Sequence, residues 1–298
     1  MSNKTPPSGL WCQPPRGWTI DRAASLAVTM PETHQAVSVI RHDLGVSEAS
    51  GDWLVQEVPV AMVFNGVSHA VMMATPADLE DFARGFAWTE GIVQGPHEWL
   101  DVEVHEERGG IRIEVSVAAA CEWRLKERRR QLAGRTGCGL CGVEQLEHVH
   151  LSLPQVPLTQ VPVSQMLEVV QSLAAAQPLQ QRTGASHAAA WVDINHGVLC
   201  LREDAGRHNA LDKAIGAAMA AKADPTHAWI AITSRASFEM VQKTAMAGVG
   251  ALAAISAPTA LAVSCAEQAG VALAGFVRPP RWVAYTYPER WQAKPAAT

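Results

Sequence analysis

Between Thr244 and Val277 the chain carries one charged residue, Glu267. A stretch so poor in charge has to be buried nearly throughout, and within it short β-prone runs alternate with Ala-rich helical ones. We read strands at 227–233, 251–255 and 271–277 and helices at 237–247 and 259–269. Strands alternating with helices through short loops predict a parallel sheet with right-handed crossovers. Strands covered on both faces show no polar side, which explains the missing charge. The stretch is not a membrane span, because no run approaches the roughly 20 apolar residues that a span needs.

The first half follows a different pattern. Two apolar runs, 58–64 and 67–75, flank Asn65-Gly66, the dipeptide that supplies both positive-φ positions of a type I′ turn, so a hairpin is expected. Thr75 is then read as a helix N-cap, Pro76 as a first-turn residue and Gly91 as the C′ position, around Leu79, Phe82 and Phe86 at helical spacing. Residues 100–117 read as a second hairpin and 118–133 as a helix ending at Gly134. Residues 1–50 are read as a partly disordered N-terminal extension with one strand around 36–41. The expected organisation is that extension, a hairpin-rich α+β part (51–133), a cysteine loop (134–150) and an α/β part (151–298).

Charge and cysteine content narrow the function. With a formal net charge of −5 the chain is a poor general binder of nucleic acid, so an anionic ligand must be met by a local arginine or lysine cluster. Six cysteines (Cys12, Cys121, Cys138, Cys141, Cys200, Cys265) in 298 residues are too sparse for a secreted disulfide framework. No apolar stretch of signal-peptide length opens the chain. The expectation is a cytoplasmic protein with no membrane or nucleic-acid partner, its oligomeric state left open, a homodimer included.

Two places carry chemistry. In GRTGCGLCGVEQLE (134–147), Cys138 and Cys141 lie in a Gly-rich loop that leaves little bulk around the sulfurs. A cysteine pair at this spacing serves as half of a zinc site, as a dithiol redox couple or as a sulfur carrier. Zinc lacks a second pair, and His148 and His150 follow too closely for a usual finger or ribbon, so no metal is expected. The deaminase-like spacing from His105-Glu106 to the cysteines fails because His105 falls in a hairpin and Gly137 stands where proline is needed. A redox couple would put the first cysteine at a helix start directly after a strand, and here a basic helix with Arg128, Arg129 and Arg130 comes first. Those arginines either complement the helix dipole or serve the cysteine loop.

The second place is the set of turns after the parallel strands, where open α/β sheets gather ligands. There stand Thr233, Ser234, Arg235 and Ser237, then Ser256 and Thr259, then Arg278, Pro279, Pro280 and Arg281. The hydroxyls read equally as helix caps, but two guanidiniums on a Pro-Pro turn suit bidentate phosphate recognition. RTGASHAAAW and EDAGRHNALDKAIG each set a histidine, His187 and His208, beside glycine and an apparent Ala-rich helix start, with structural and catalytic roles both open. Cys12, Cys121, Cys200 and Cys265 read as buried or incidental thiols.

Taken in order, GRTGCGLCGVEQLE, TGASHAAAW, EDAGRHNALDK, SRASFEMVQKTAMAGV and GFVRPPR resemble the FdhD family of formate dehydrogenase accessory sulfurtransferases, over about residues 55–290. The resemblance implies a sulfurtransferase that receives sulfane sulfur from a cysteine desulfurase. It passes that sulfur to the molybdenum cofactor, Mo-bis(molybdopterin guanine dinucleotide), for a client formate dehydrogenase. The family's persulfide cysteine matches Cys138, and Cys141 matches an accessory thiol. The cofactor-binding stretch matches Phe276, Val277, Arg278, Pro279, Pro280 and Arg281, with Pro280 where glycine is more usual. GDP is the expected surrogate ligand. The implied fold class is α/β: a cytidine-deaminase-like α/β/α sandwich with parallel strands in the C-terminal half and a smaller N-terminal α+β part with hairpins. Competing readings are a non-catalytic cofactor-binding chaperone with a regulatory CxxC, and a cytosolic dithiol oxidoreductase.

Overall fold

The computed structural model describes residues 31–132 and 153–292. It opens with β1 (His34–Asp43) and β2 (Val46–Val55), an antiparallel ribbon turned at Leu44-Gly45, both at positive φ. The sequence predicts one strand here and the structure has two. Both faces of the ribbon are largely exposed, so neither strand carries the apolar alternation that would announce it.

Next come β3 (Val58–Phe64) and β4 (Val67–Ala74), joined by Asn65 at φ 47° and Gly66 at φ 75°, the two positive values of the expected turn. Helix α1 (Leu79–Thr89) ends before Gly91 at φ 68°, as expected, but begins later than predicted, with Asp78 at the N-cap position. Thr75 is not the cap. Its backbone N–H donates to Asp204 Oδ2 at 3.0 Å and its Oγ1 accepts from the Ala205 N–H at 3.1 Å, so it fastens this unit to the second one. The second hairpin is β5 (Trp99–Glu107) and β6 (Gly110–Val117), and His105 sits in it as read. The four strands order β4-β3-β6-β5, with β3 and β6 parallel. Phe82 and Phe86 of α1 pack on Val60, Met62, Ile111 and Ile113. Helix α2 (Cys121–Leu132) leads out of this unit.

The second unit contains β7 (Val161–Pro162), α3 (Val163–Leu173), α4 (Pro178–Thr183), β8 (His187–Asp193), β9 (Gly197–Asp204) and α5 (Arg207–Ala220). The predicted alternation follows as β10 (Ala228–Ile232), α6 (Phe238–Met246), β11 (Ala251–Ala254), α7 (Ala260–Ala269) and β12 (Ala272–Arg278). The chain then forms β13 (Arg281–Ala284) and β14 (Trp291–Gln292), the latter paired with β7. The six-stranded sheet has the order β13-β12-β11-β10-β8-β9. Strands β10, β11 and β12 are parallel, while β8 and β13 run against their neighbours, so the sheet is mixed. The two-residue period divides its faces: Ile230, Ile232, Leu252 and Leu273 pack under α5, α6 and α7. Ala231, Ala251, Ala253, Ala272 and Ala274 meet α3 on the other side. The result is an α/β/α sandwich. The run HAAAWVD, read as a helix start, is strand β8. Its Ala188–Val192 segment is fully buried in the sheet, and burial there overrides the helix preference of alanine.

Helices α1 and α5 cross at two glycines. A Cβ on Gly85 would stand 1.8 Å from the Asp212 carbonyl oxygen, and one on Gly216 would stand 1.8 Å from that of Asp81, so the backbones touch. Around this crossing Lys213 and Asp204, both fully buried, pair at 2.7 Å. Lys243 Nζ meets Asp212 Oδ2 at 2.8 Å, and Thr89 Oγ1 donates to Asp212 Oδ1 at 2.8 Å. Arg202 reaches Asp81 at 2.8 Å. Burial alone would lower the Lys243 pKa, but Asp212 and Glu90 hold it above the ordinary lysine value. Among the described residues no helix is long and apolar enough to cross a membrane.

Candidate functional site

Strand directions bring the chemistry to one edge. Strands β9, β10, β11 and β12 end there and β8 begins there, as the pairing of Ile232 with Ala189 and of His187 with Asp204 requires. The loops after β10 and β11 are tied together, since Thr259 N–H donates to the Ala236 carbonyl at 3.0 Å and Ala236 N–H to that of Ala257 at 3.2 Å. Phe276 N–H donates to the Ser256 carbonyl at 3.1 Å, which ties in the end of β12. Several hydroxyls take structural roles. Thr259 caps α7 by accepting from Ala262 N–H, Thr233 Oγ1 accepts from Ala188 N–H, and Ser234 is buried and donates to the Arg235 carbonyl. Ser237 holds the N-cap position of α6 but makes no capping bond.

At the end of β12 the six residues of FVRPPR divide. Val277 is a core residue buried on the α3 side of the sheet. Phe276 is 43% exposed at φ 50°, inside a register irregularity between Gly275 and Arg278. A left-handed non-glycine residue at a bulge is strained, and such places commonly re-aim a side chain at a site. The Pro279–Pro280 peptide is cis, and the turn sets Arg278 opposite Arg281 in register. Both arginines are exposed, and neither has a carboxylate within ion-pair distance among the described residues. That is an arrangement able to take two oxygens of a phosphate.

The same edge assembles a second group. His187 starts β8, Arg207 and His208 open α5, and Glu239 lies in the first turn of α6. His208 Nε2 stands 3.9 Å from Glu239 Oε2. Burial lowers the His187 pKa, and Arg207 and His208 nearby lower it further. Burial tends to raise Glu239, yet His208 and Ser237 beside it hold the carboxyl down at about 2. The sequence reading singled out the histidines without joining them and missed Glu239. Its only signal was a carboxylate two residues past a serine at a helix start, which reads as ordinary charge near the dipole. The rest of EDAGRHNALDK turns inward: Asp204, Asn209, Asp212 and Lys213 are buried at the α1–α5 crossing.

Cys138 and Cys141, with Arg135, Gly137, His148, His150 and Cys12, lie outside the described residues, as do the side chains of Arg128, Arg129 and Arg130. The other cysteines are poor nucleophiles. Cys121, Cys200 and Cys265 are buried, and burial pushes the Cys265 thiol up to about 11 and raises Cys121 as well. The chain returns from the cysteine segment at Leu153 and is fixed by Val156 N–H donating to the Ala269 carbonyl at 3.1 Å, at the C-terminal end of α7.

Comparison with known proteins places the chain in a family. The FdhD/NarQ family profile matches residues 55–292. The sulfur carrier protein FdhD of Cupriavidus necator is 51% identical over 266 residues, covering 88% of this chain and 91% of its own. That of Bordetella parapertussis is 49% identical over 274 residues, covering 91% of this chain and 99% of its own. A crystal structure from Desulfotalea psychrophila, of a protein named for a formate dehydrogenase accessory role, superposes with a TM-score of 0.72. It covers 88% of this chain and 100% of its own at 21% identity, a likeness of fold. With nearly the whole described chain inside one profile and half of its residues shared with full-length relatives, the chain belongs to the FdhD/NarQ family.

Proposed function

We propose that this chain is a cytoplasmic sulfur carrier in formate dehydrogenase maturation, in which Cys138 takes sulfane sulfur from a cysteine desulfurase and delivers it to Mo-bis(molybdopterin guanine dinucleotide). Relatives of half-identical sequence named sulfur carrier proteins support the role. The observation that carries the cargo is local: the exposed, unpaired Arg278 and Arg281 beside the strained Phe276, at the edge where α/β sheets receive phosphates.

In the loading step the Cys138 thiolate attacks the outer sulfur of the donor's persulfide. The new S–S bond forms as the old one breaks, and the donor cysteine leaves as thiolate, so no external oxidant is needed. A free thiol has a pKa of about 8.5, so Arg135 nearby would raise the thiolate fraction. Cys141 is the accessory thiol. Phe276, Arg278 and Arg281 hold the cofactor at the sheet edge as substrate, its phosphates on the two guanidiniums.

The test is intact-protein mass after incubation with a desulfurase and cysteine. One added sulfur on the wild type and none on Cys138→Ala is the expected result. Sulfur retained by Cys138→Ala but lost from Cys141→Ala reverses the assignment. No added sulfur on the wild type leaves a cofactor-binding chaperone.

A further inference from the structure

A cavity of about 440 Å³ opens where the N-terminal ribbon meets the second unit, and Arg182 of α4 lines it without an ion-pair partner among the described residues. We propose that this cavity is a second ligand site, for a small carboxylic acid with an apolar body. It lies on the β9 side of the sheet, four strand spacings or about 19 Å from β12, so it is separate from the place that Arg278 and Arg281 occupy. A space of about 440 Å³ falls within the range of small-molecule sites, roughly 300–1,000 Å³.

Its walls come from segments far apart in sequence. Ala77 precedes α1, Ala176, Pro178 and Leu179 lead into α4, and Leu201 lies in β9. None of these side chains offers a hydrogen bond, so the body of a ligand here has to be apolar. The polar groups that share the lining are engaged. Glu203 accepts from Leu179 and Gln180 N–H at 3.0 and 2.8 Å and from the Ser186 hydroxyl at 2.8 Å. Asp78 Oδ1 lies 3.4 Å from Arg202 Nε, and Thr75 is tied to Asp204, Ala205 and Lys213. With both carboxylates partnered, the cavity does not favour a cation.

Arg182 is the exception. Its guanidinium carbon sits 3.9 Å from the centre of the Trp53 ring, and His34 meets the same ring edge-on with centroids 5.0 Å apart, so the indole is held between ribbon and α4. Stacking uses the face of the guanidinium and leaves its in-plane N–H donors. Among the described residues no hydrogen bond or ion pair takes those donors. A planar fork with free donors beside an apolar cavity suits a carboxylate, which accepts two parallel N–H bonds from it. Because the stack already holds the fork, little freedom is lost on binding.

Calorimetric titration of octanoate and its neutral isostere octanamide into the full-length wild type, Arg182→Gln and Leu179→Trp tests the assignment, with circular dichroism as folding control. The wild type should bind octanoate at least about tenfold tighter than octanamide, because only the acid makes charge-assisted bonds. Arg182→Gln should bring the two affinities to within about threefold of each other. Leu179→Trp, which fills the cavity, should abolish binding of both. Equal wild-type affinities overturn the inference, as does the absence of octanoate binding at millimolar concentration. A preference kept in a folded Arg182→Gln, or octanoate binding kept in a folded Leu179→Trp, puts the acid elsewhere and overturns it too. The wild-type comparison needs no variant, so a misfolded substitution does not spoil the test.

Discussion

The α1–α5 crossing and the carboxyl edge of the sheet are built from the same residue types and handle them in opposite ways. At the crossing every charge finds its counterpart: Lys213 meets Asp204 and the Thr75 carbonyl, and Lys243 meets Asp212. At the edge Arg278, Arg281 and Arg235 are exposed, and Arg207 Nε is buried without a hydrogen-bond partner among the described residues. Saturated charge is architecture, because nothing remains to bind with. Unsaturated charge at a strand end is a site, because burying a donor unmade is tolerated only where something else completes it. One motif contains both, since EDAGRHNALDK contributes Asp204, Asp212 and Lys213 to the crossing and Arg207 and His208 to the edge.

That contrast makes the crossing the place where substitution should hurt most. Lys213→Met strands the fully buried Asp204 carboxylate, and breaking a buried pair from one side costs about 3–5 kcal/mol. Denaturant unfolding should show that loss, and a variant within 0.5 kcal/mol of wild type would mean the pair is not what holds the two units together. Gly216→Ala comes next. Its methyl would meet the Asp81 carbonyl at 1.8 Å, backbone against backbone, and a forced shift in a packed interface costs about 1–3 kcal/mol. The same measurement checks it. At the edge the expectation reverses: Arg278→Ala and Arg281→Ala should leave stability within about 0.5 kcal/mol of wild type. Each should nevertheless weaken GDP binding roughly tenfold to a hundredfold through a lost charge-assisted contact. Equal GDP affinity in both variants would move the phosphates away from β12.

How much of this was legible follows from where each signal lives. Strands β10, β11 and β12 and helices α6 and α7 were readable to within a residue or two, because burial on both faces removes charge and leaves the alternation bare. The Asn65-Gly66 turn was readable because few dipeptides take positive φ twice. Strand β8 was not, since AAAW has the composition of a helix and becomes a strand only through its partners β9 and β10. Thr75 has the credentials of a cap, and its tie to Asp204, 129 residues away in sequence, lies beyond any local pattern. Gly85 and Gly216 look like weak points in helices until the two helices are seen to touch. The edge was half legible. Arg278 and Arg281 were found because Pro-Pro sets them side by side, but Glu239 joins His208 only across two helix starts.

The smallest effect separates the two regions by sign. A histidine set among carboxylates, as the lysines of the crossing are, would have its pKa raised. His187 at the edge has it lowered, first by burial and then by Arg207 and His208 beside it. The unfolded chain then binds a proton at His187 more readily than the folded one, so stability rises with pH between the folded pKa and the unfolded value of about 6.5. The contribution is complete above about 6.5 and is lost as pH falls through the folded value. Glu239, held down at about 2, loses its own contribution only below the ordinary glutamate range. Thermal midpoints of wild type and His187→Gln followed from about pH 7.5 down to 5 should differ in slope, the variant being flatter. If the wild type instead gains stability on acidification across this range and His187→Gln abolishes the gain, the histidine faces net negative charge. The edge would then resemble the crossing, and the argument that its cations await an anionic ligand would fail.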